Sequence, residues 1–175
     1  GLYELNDHHE KILPLLRFET SESEIQTSLD DYITKMKPDQ NEIYYFANTD
    51  KDHIKNSPQL EAFTANKIPV LFMTDAVDEF WLQNIKNFKD KTFKSISKGK
   101  VDISKLKKDD KNKSKPKSKK NNKINDLINI LKDNLKEKIS EVTISDRLIK
   151  SPILLVADEG SMDINMEKLM KMHNK

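Results

Sequence analysis

Residues 69–85 read "PVLFMTDAVDEFWLQNI". The first six residues, "PVLFMT", form an apolar run without alternation, the pattern of a strand covered on both faces, as in a parallel sheet. Asp75 then caps a helix. Inside that helix Phe80, Trp81 and Leu82 are consecutive. Helical neighbours sit about 100° apart, so the three cover about 200°, more than one buried stripe. With Val77 at about 0°, Trp81 falls near about 40°, Asn84 near about 340°, Ile85 near about 80° and Phe88 near about 20°. This predicts an inner face centred between Trp81 and Phe88. Phe80, near about 300°, falls at its edge, on the side of a polar surface with Glu79 near about 200° and Gln83 near about 240°.

The strand-to-helix pattern repeats on both sides of this stretch. "EIYYFAN" (42–48) is a second continuous apolar run, and "KTFKSIS" (91–97) reads as a shorter third strand. Between the first two, "NSPQLEAFTANK" offers Ser57 as N-cap and Pro58 as the first helical residue. Upstream, Ser28 caps "SLDDYITKMK", whose Leu29, Tyr32, Ile33 and Met36 follow helical spacing until Pro38. A helix starts at Asp7 with Glu10 completing a capping box, and Pro14 interrupts it. The order α-α-β-α-β-α-β predicts the α/β class, here a small three-layer α/β/α sandwich with a short, mainly parallel sheet.

A second, small α+β domain is expected over residues 124–175. "INDLINILKDNLKEKI" places Ile124, Leu127, Ile128, Leu131, Leu135 and Ile139 on one helical face. "EVTIS" (141–145) and "PILLVAD" (152–158) read as strands, and "MDINMEKLMKMH" as a helix with a methionine stripe. Between the two parts, residues 98–123 carry 12 Lys against 3 Asp, net +9, leaving −7 for the remainder of a chain whose total is +2. Such a run repels itself and buries almost nothing, so it reads as a flexible linker. The domain reading is therefore 1–97, linker 98–123, and 124–175.

Composition excludes several function classes. The chain has 175 residues and no cysteine, which removes disulfides, thiol chemistry and thiolate metal sites and fits a cytoplasmic setting. No apolar run reaches the length of a membrane span. Gly1, Gly99 and Gly160 are the only glycines, so no glycine-rich phosphate loop exists and no cofactor site is expected. His8 and His9 are adjacent and point to different helical faces, while His53 and His173 are isolated, so no metal site is expected. The acidic pairs Asp30–Asp31 and Asp109–Asp110 read as capping and solvated charge, and no catalytic set can be assembled. The first residues, "GLYELND", lack a methionine and read as part of a longer protein.

Seven stretches together resemble the ninety-kilodalton heat-shock chaperone family, in its bacterial form. They are "LLRFETS" (15–21), "SLDDYITKMKPDQNEIYY" (28–45), "NSPQLEAF" (56–63), "PVLFMTDAVDEFWL" (69–82), "FKSISKG" (93–99), "VTISDRLIKSPILLV" (142–156) and "NMEKLMK" (165–171), in the family's order. The resemblance implies that residues 1–97 are the distal α/β part of a middle domain and residues 124–175 the start of the C-terminal dimerisation domain. It implies an ATP- and magnesium-dependent, homodimeric stress-response chaperone as the parent, with the ATP-binding domain outside these residues. Neither Arg17 nor Arg147 sits in a stretch like the family's ATP-assisting arginine loop. Two departures stand out. Ser161 and Met162 follow Gly160 where eukaryotic relatives carry an aromatic residue, and the linker is lysine-rich where the family's is mixed or acidic.

The implied partners are unfolded or partly folded client proteins, with no nucleic acid and no membrane. Candidate client-binding residues are Glu79, Phe80, Trp81 and Gln83 in the first part, and Met162, Met166, Leu169 and Met170 in the second. Each has a structural alternative: Phe80 packing under a loop, Trp81 in the core, the methionines as core of the second domain. The competing function is nucleic-acid binding through the lysine run. That run has no aromatic residue to stack on bases and no arginine. Filter retention of nucleic acid titrated against salt separates the two.

Overall fold

The structure is a computed structural model that describes residues 9–103, 106 and 122–160. The chain divides into two compact units, Gly1–Lys107 with Arg147–Lys175, and Lys108–Asp146. The first unit contains α1 (His9–Ile12), β1 (Phe18–Thr20), β2 (Ser23–Thr27), α2 (Leu29–Lys35), β3 (Glu42–Ala47) and α3 (Lys51–Lys55). It continues with α4 (Glu61–Ala65), β4 (Leu71–Met73), α5 (Asp78–Asn84), β5 (Asn87–Phe88) and β6 (Lys91–Ser95). Short 3-10 turns at Leu13–Leu15 and Pro58–Leu60 follow α1 and precede α4. The first of these holds Pro14, as the interrupted helix predicted.

The six strands form one sheet in the order β2-β1-β4-β3-β6-β5. Its centre is parallel: β3 pairs with β4 through Tyr45–Leu71 and with β6 through Ile43–Phe93. Its edges are antiparallel, because β1 pairs with both β2 and β4, and β5 with β6. The α/β class is as expected, and the sheet is mixed rather than mainly parallel, since two hairpins widen its parallel centre. The β5–β6 hairpin turns on Lys89 and Asp90, with Lys89 at φ +52°.

The alternation that the apolar runs hide is resolved by the two faces. Ile43 and Ala47 of β3 and Leu71 and Met73 of β4 pack on one side with Leu29, Tyr32, Trp81, Leu82 and Phe93. Tyr44, Phe46, Val70 and Phe72 pack on the other with Ile54, Leu60, Phe63, Ile68 and Ile103. Both faces are buried, which is why the apolar run is unbroken from Ile43 to Ala47 in β3 and throughout β4.

Local signals set the helix ends. The Ser28 hydroxyl accepts the Asp31 N–H at 3.0 Å and donates to its carboxylate at 2.7 Å. Ser57 accepts the Gln59 N–H at 3.3 Å, with Pro58 beginning the turn. At the end of α4, the N–H of Ile68 reaches the Phe63 carbonyl at 2.9 Å and that of Lys67 the Thr64 carbonyl at 3.1 Å. This is a Schellman closure, with Lys67 rather than glycine at φ +53°. Ile68 and Phe63, both fully buried, supply its apolar contact.

Tyr32 joins α2 to the sheet. Its buried hydroxyl donates to the Pro69 carbonyl at 2.7 Å and accepts from the Tyr44 N–H at 3.1 Å and from Gln40 Nε2 at 3.2 Å. Burial pushes its ionisation up, so it stays a donor at all ordinary pH. Tyr32→Phe leaves three polar groups short of a partner and is expected to cost about 1–3 kcal/mol in chemical denaturation. A loss below about 0.5 kcal/mol would mean that the network rearranges at little cost.

Residues 147–159, expected with the second part, bond to the α/β unit. Arg147, 5% exposed, donates to the Ile96 carbonyl at 2.6 Å and lies 5.8 Å from the Phe63 ring centroid. The Glu61 carboxylate accepts the N–H groups of Ile149 (2.6 Å), Lys150 (2.7 Å) and Ser151 (3.0 Å), and the Ser151 hydroxyl. Gln59 Nε2 donates to the Leu155 carbonyl at 2.8 Å. Ala157 pairs with Lys98 in a single parallel bridge, through Gly99 N–H to Ala157 O at 2.8 Å and Ala157 N–H to Ser97 O at 2.9 Å. Lys94 pairs with Glu159. Gly99 is at φ +58°, and a Cβ there would meet the Glu159 side chain at 3.1 Å.

These bonds correct the strand expected at 152–158, of which one bridge is present; 141–145 is likewise not a strand. A strand needs a continuous partner, and in 147–159 much of the main-chain bonding goes to Glu61 and Gln59 side chains instead.

The hydrogen bonds from Ser151, Lys150 and Ile149 hold the Glu61 carboxyl down at about 2, against an ordinary 4.5. A depressed folded-state value means that the carboxylate's contribution is complete above about 4.5 and is lost as pH falls towards about 2. Amide shifts of Ile149, Lys150 and Ser151 followed during acidification are expected to change with a midpoint near the lower value. A midpoint near 4.5 would show that the carboxylate is not held.

In the other unit, α6 (Asn122–Leu135) is the expected amphipathic helix, ending before Ile139. Leu131 and Leu135 are partly buried, whereas Ile124, Leu127 and Ile130 are exposed.

Candidate functional site

The chain leaves β4 at Met73 and makes one turn before α5. Asp75 organises that turn rather than capping the helix: its carboxylate accepts the Val77 N–H at 3.3 Å and its carbonyl the Asp78 N–H at 3.0 Å. Val77 occupies the cap position without a side-chain bond. Asp78, itself buried, accepts the Asp75 N–H at 3.2 Å through one oxygen and the Trp81 indole N–H at 3.0 Å through the other. Burial raises the Asp78 ionisation above the usual carboxylate range, and these two hydrogen bonds pull against it.

Trp81, 1% exposed, stands edge-on to Phe93 with centroids 5.5 Å apart. Leu82 and Ile85 are buried beside it in the same cluster. The helix stops at Asn84, since Ile85 is extended and Lys86 Nζ takes up the Leu82 carbonyl at 3.1 Å.

This geometry moves the axis of the inner face. The buried residues of α5 are Asp78, Glu79, Trp81 and Leu82, so the inner face is centred at about 120° on the wheel, between Trp81 and Leu82. Asn84, expected inside, is exposed with Gln83. Phe88 belongs to β5 and not to the helix. Phe80, 51% exposed, therefore lies at the centre of the outer face rather than at its edge. Phe80, Gln83 and Asn84 stand at i, i+3 and i+4 and share that face.

Of the residues singled out from sequence, the structure brings Phe80 and Gln83 together at the surface. Trp81 and Glu79 (8% exposed) are buried and present no docking surface in this conformation. Met162, Met166, Leu169 and Met170 lie outside the described residues. Asn84 joins the outer face without having been anticipated. The missed signal was the two-residue turn at Lys89–Asp90, which requires Phe88 to be strand. Among the described residues no three His, Asp or Glu side chains gather in a way that could hold a metal ion, and no helix is long and apolar enough to cross a membrane.

Comparison with known proteins bears on the whole chain. The sequence profile of the family described as "Hsp90 protein" matches residues 1–175. Chaperone protein HtpG of Roseobacter denitrificans is 41% identical over 175 residues, covering 100% of this chain and 28% of that protein. HtpG of Wolbachia pipientis wMel is 38% identical over 170 residues, covering 94% and 26%. HtpG of Rhizobium etli is 37% identical over 172 residues, covering 98% and 27%. The chain thus spans roughly a quarter of the length of the curated relatives it matches. With the profile aligned along its full length and relatives of this similarity across it, the chain belongs to the Hsp90 family.

Proposed function

We propose that this chain presents part of the surface on which a molecular chaperone holds partly unfolded client proteins. The observation that carries the reading is Phe80, a large ring in water at the centre of the outer face of α5, next to a tryptophan that the same helix buries. Trp81 and Asp78 fix the helix from inside, so the ring is offered on a rigid element. An aromatic face gives apolar contact without demanding one client sequence, and Gln83 and Asn84 beside it supply adaptable donors and acceptors.

The finer placement belongs to the same proposal. Residues 1–97, with Val101, Ile103 and Leu106 of the expected linker buried against them, act as the distal part of a middle domain, the lysine run that follows as the linker, and residues 124–175, of which 147–159 bond to the α/β unit, as the start of a C-terminal dimerisation domain. Met162, Met166, Leu169 and Met170 add a second, polarisable contact that can refit to different clients. The whole protein works as an ATP-driven homodimer in the cytoplasm, with ATP and magnesium bound outside these residues. Family membership and the lack of any glycine-rich phosphate loop in the sequence support this placement.

The test is a fluorescence-anisotropy titration of one client protein in two forms. The chain is expected to bind the reduced, permanently unfolded form and not the native form. Equal binding of both, or of neither, would overturn the proposal.

A further inference from the structure

Residues 147–159 are held to the α/β unit in an unusual way. The attachment is mainly polar: the Arg147 guanidinium to the Ile96 carbonyl, four donors to Glu61, Gln59 to the Leu155 carbonyl, one backbone bridge at Ala157, and Lys94 with Glu159. Of the segment's large apolar residues, Ile149, Ile153 and Leu155 face solvent and Leu148, Leu154 and Val156 are half-buried. What it covers is apolar, for Arg147 lies over the ring of fully buried Phe63.

A seam of hydrogen bonds exchanges for water at small net cost, whereas a buried apolar seam does not. The bonds are also unevenly distributed. Glu61 alone accepts from three successive backbone N–H groups and a hydroxyl, more than any other side chain at the seam. These donors lie 88 to 90 residues away in sequence, so the carboxylate ties two distant parts of the chain at one point.

We propose that residues 147–159 form a releasable strap and that Glu61 is the latch that holds it. Opening the latch frees the strap as one piece, uncovers Phe63, and leaves the sheet intact. The segment C-terminal to the sheet can thus change its attachment without unfolding the α/β unit.

Hydrogen exchange on the full 175-residue chain tests this, comparing Glu61→Gln and Glu61→Ala with the parent sequence. Glu61→Ala is expected to speed exchange at Ile149, Lys150, Ser151, Gly99 and Ala157 by on the order of tenfold or more, with Tyr45 and Phe72 unchanged. Glu61→Gln, which keeps the size and one acceptor, should give a smaller increase at the same amides. Unchanged exchange at 149–151 would overturn the latch. Faster exchange at 149–151 with Gly99 and Ala157 unaffected would overturn release as one piece. An equal rise at Tyr45 and Phe72 in both variants would reduce Glu61 to a general stabiliser and overturn the proposal. Trypsin cleavage after Lys150 gives an independent readout: faster cutting of Glu61→Ala in native conditions is expected, and an unchanged rate contradicts release.

Discussion

Trp81→Ala is expected to lower folding stability by about 3–5 kcal/mol, measured by chemical denaturation. The indole is buried among Leu29, Ile43, Met73 and Phe93, and its removal empties a volume that short surrounding elements cannot fill. It also takes away the N–H that Asp78 accepts, leaving a buried carboxylate with one of its two donors. The edge-on contact with Phe93 is lost as well. A loss of less than about 1 kcal/mol would mean that α5 is not anchored through Trp81.

Phe80→Ala, one residue earlier, is expected to act in the opposite sense. Stability should change by no more than about 0.5 kcal/mol, because the ring is half in water. Affinity for an unfolded client should fall by roughly tenfold or more, the usual effect of truncating a central aromatic anchor. Anisotropy titrations on the variant and the parent chain read this directly. The pair of substitutions separates fold from function on a single turn of helix: Trp81 acts through stability, Phe80 through binding. Undiminished client binding by Phe80→Ala would remove the ring from the docking surface.

Much of the sheet was legible because its centre is buried on both sides. β3 and β4 stand out as continuous apolar runs, β6 falls within the shorter strand read at 91–97, and Ser28 and Ser57–Pro58 mark helix starts that the structure reproduces. The edges left no such mark. In β2 only Thr27 is buried, and β5 has two residues, so neither carries an apolar pattern to read. The tight reversals at Lys67 and Lys89 use lysine at positive φ where glycine would have signalled them. Glycine is scarce throughout this lysine-rich sequence. The strap could not be seen either. Its bonds run from Glu61 and Gln59 to backbone groups far along the chain, while "PILLVAD" looks locally like any strand.

At the candidate site the sequence separated Phe80 from Trp81 but misplaced the axis between them. A wheel drawn through Asn84 to Phe88 places both inside, whereas the helix ends at Asn84. Asp78 also faces inward, a position that polarity argues against until its bonds to Trp81 and Asp75 are seen. Both corrections move Phe80 further into solvent.

The most direct test of the docking surface is an NMR titration of the isotopically labelled chain with a partly unfolded client, resolved residue by residue. Signals of Phe80, Gln83 and Asn84 are expected to shift together and saturably, while the Trp81 indole stays in place. Saturable binding that leaves those three residues unmoved would contradict the account.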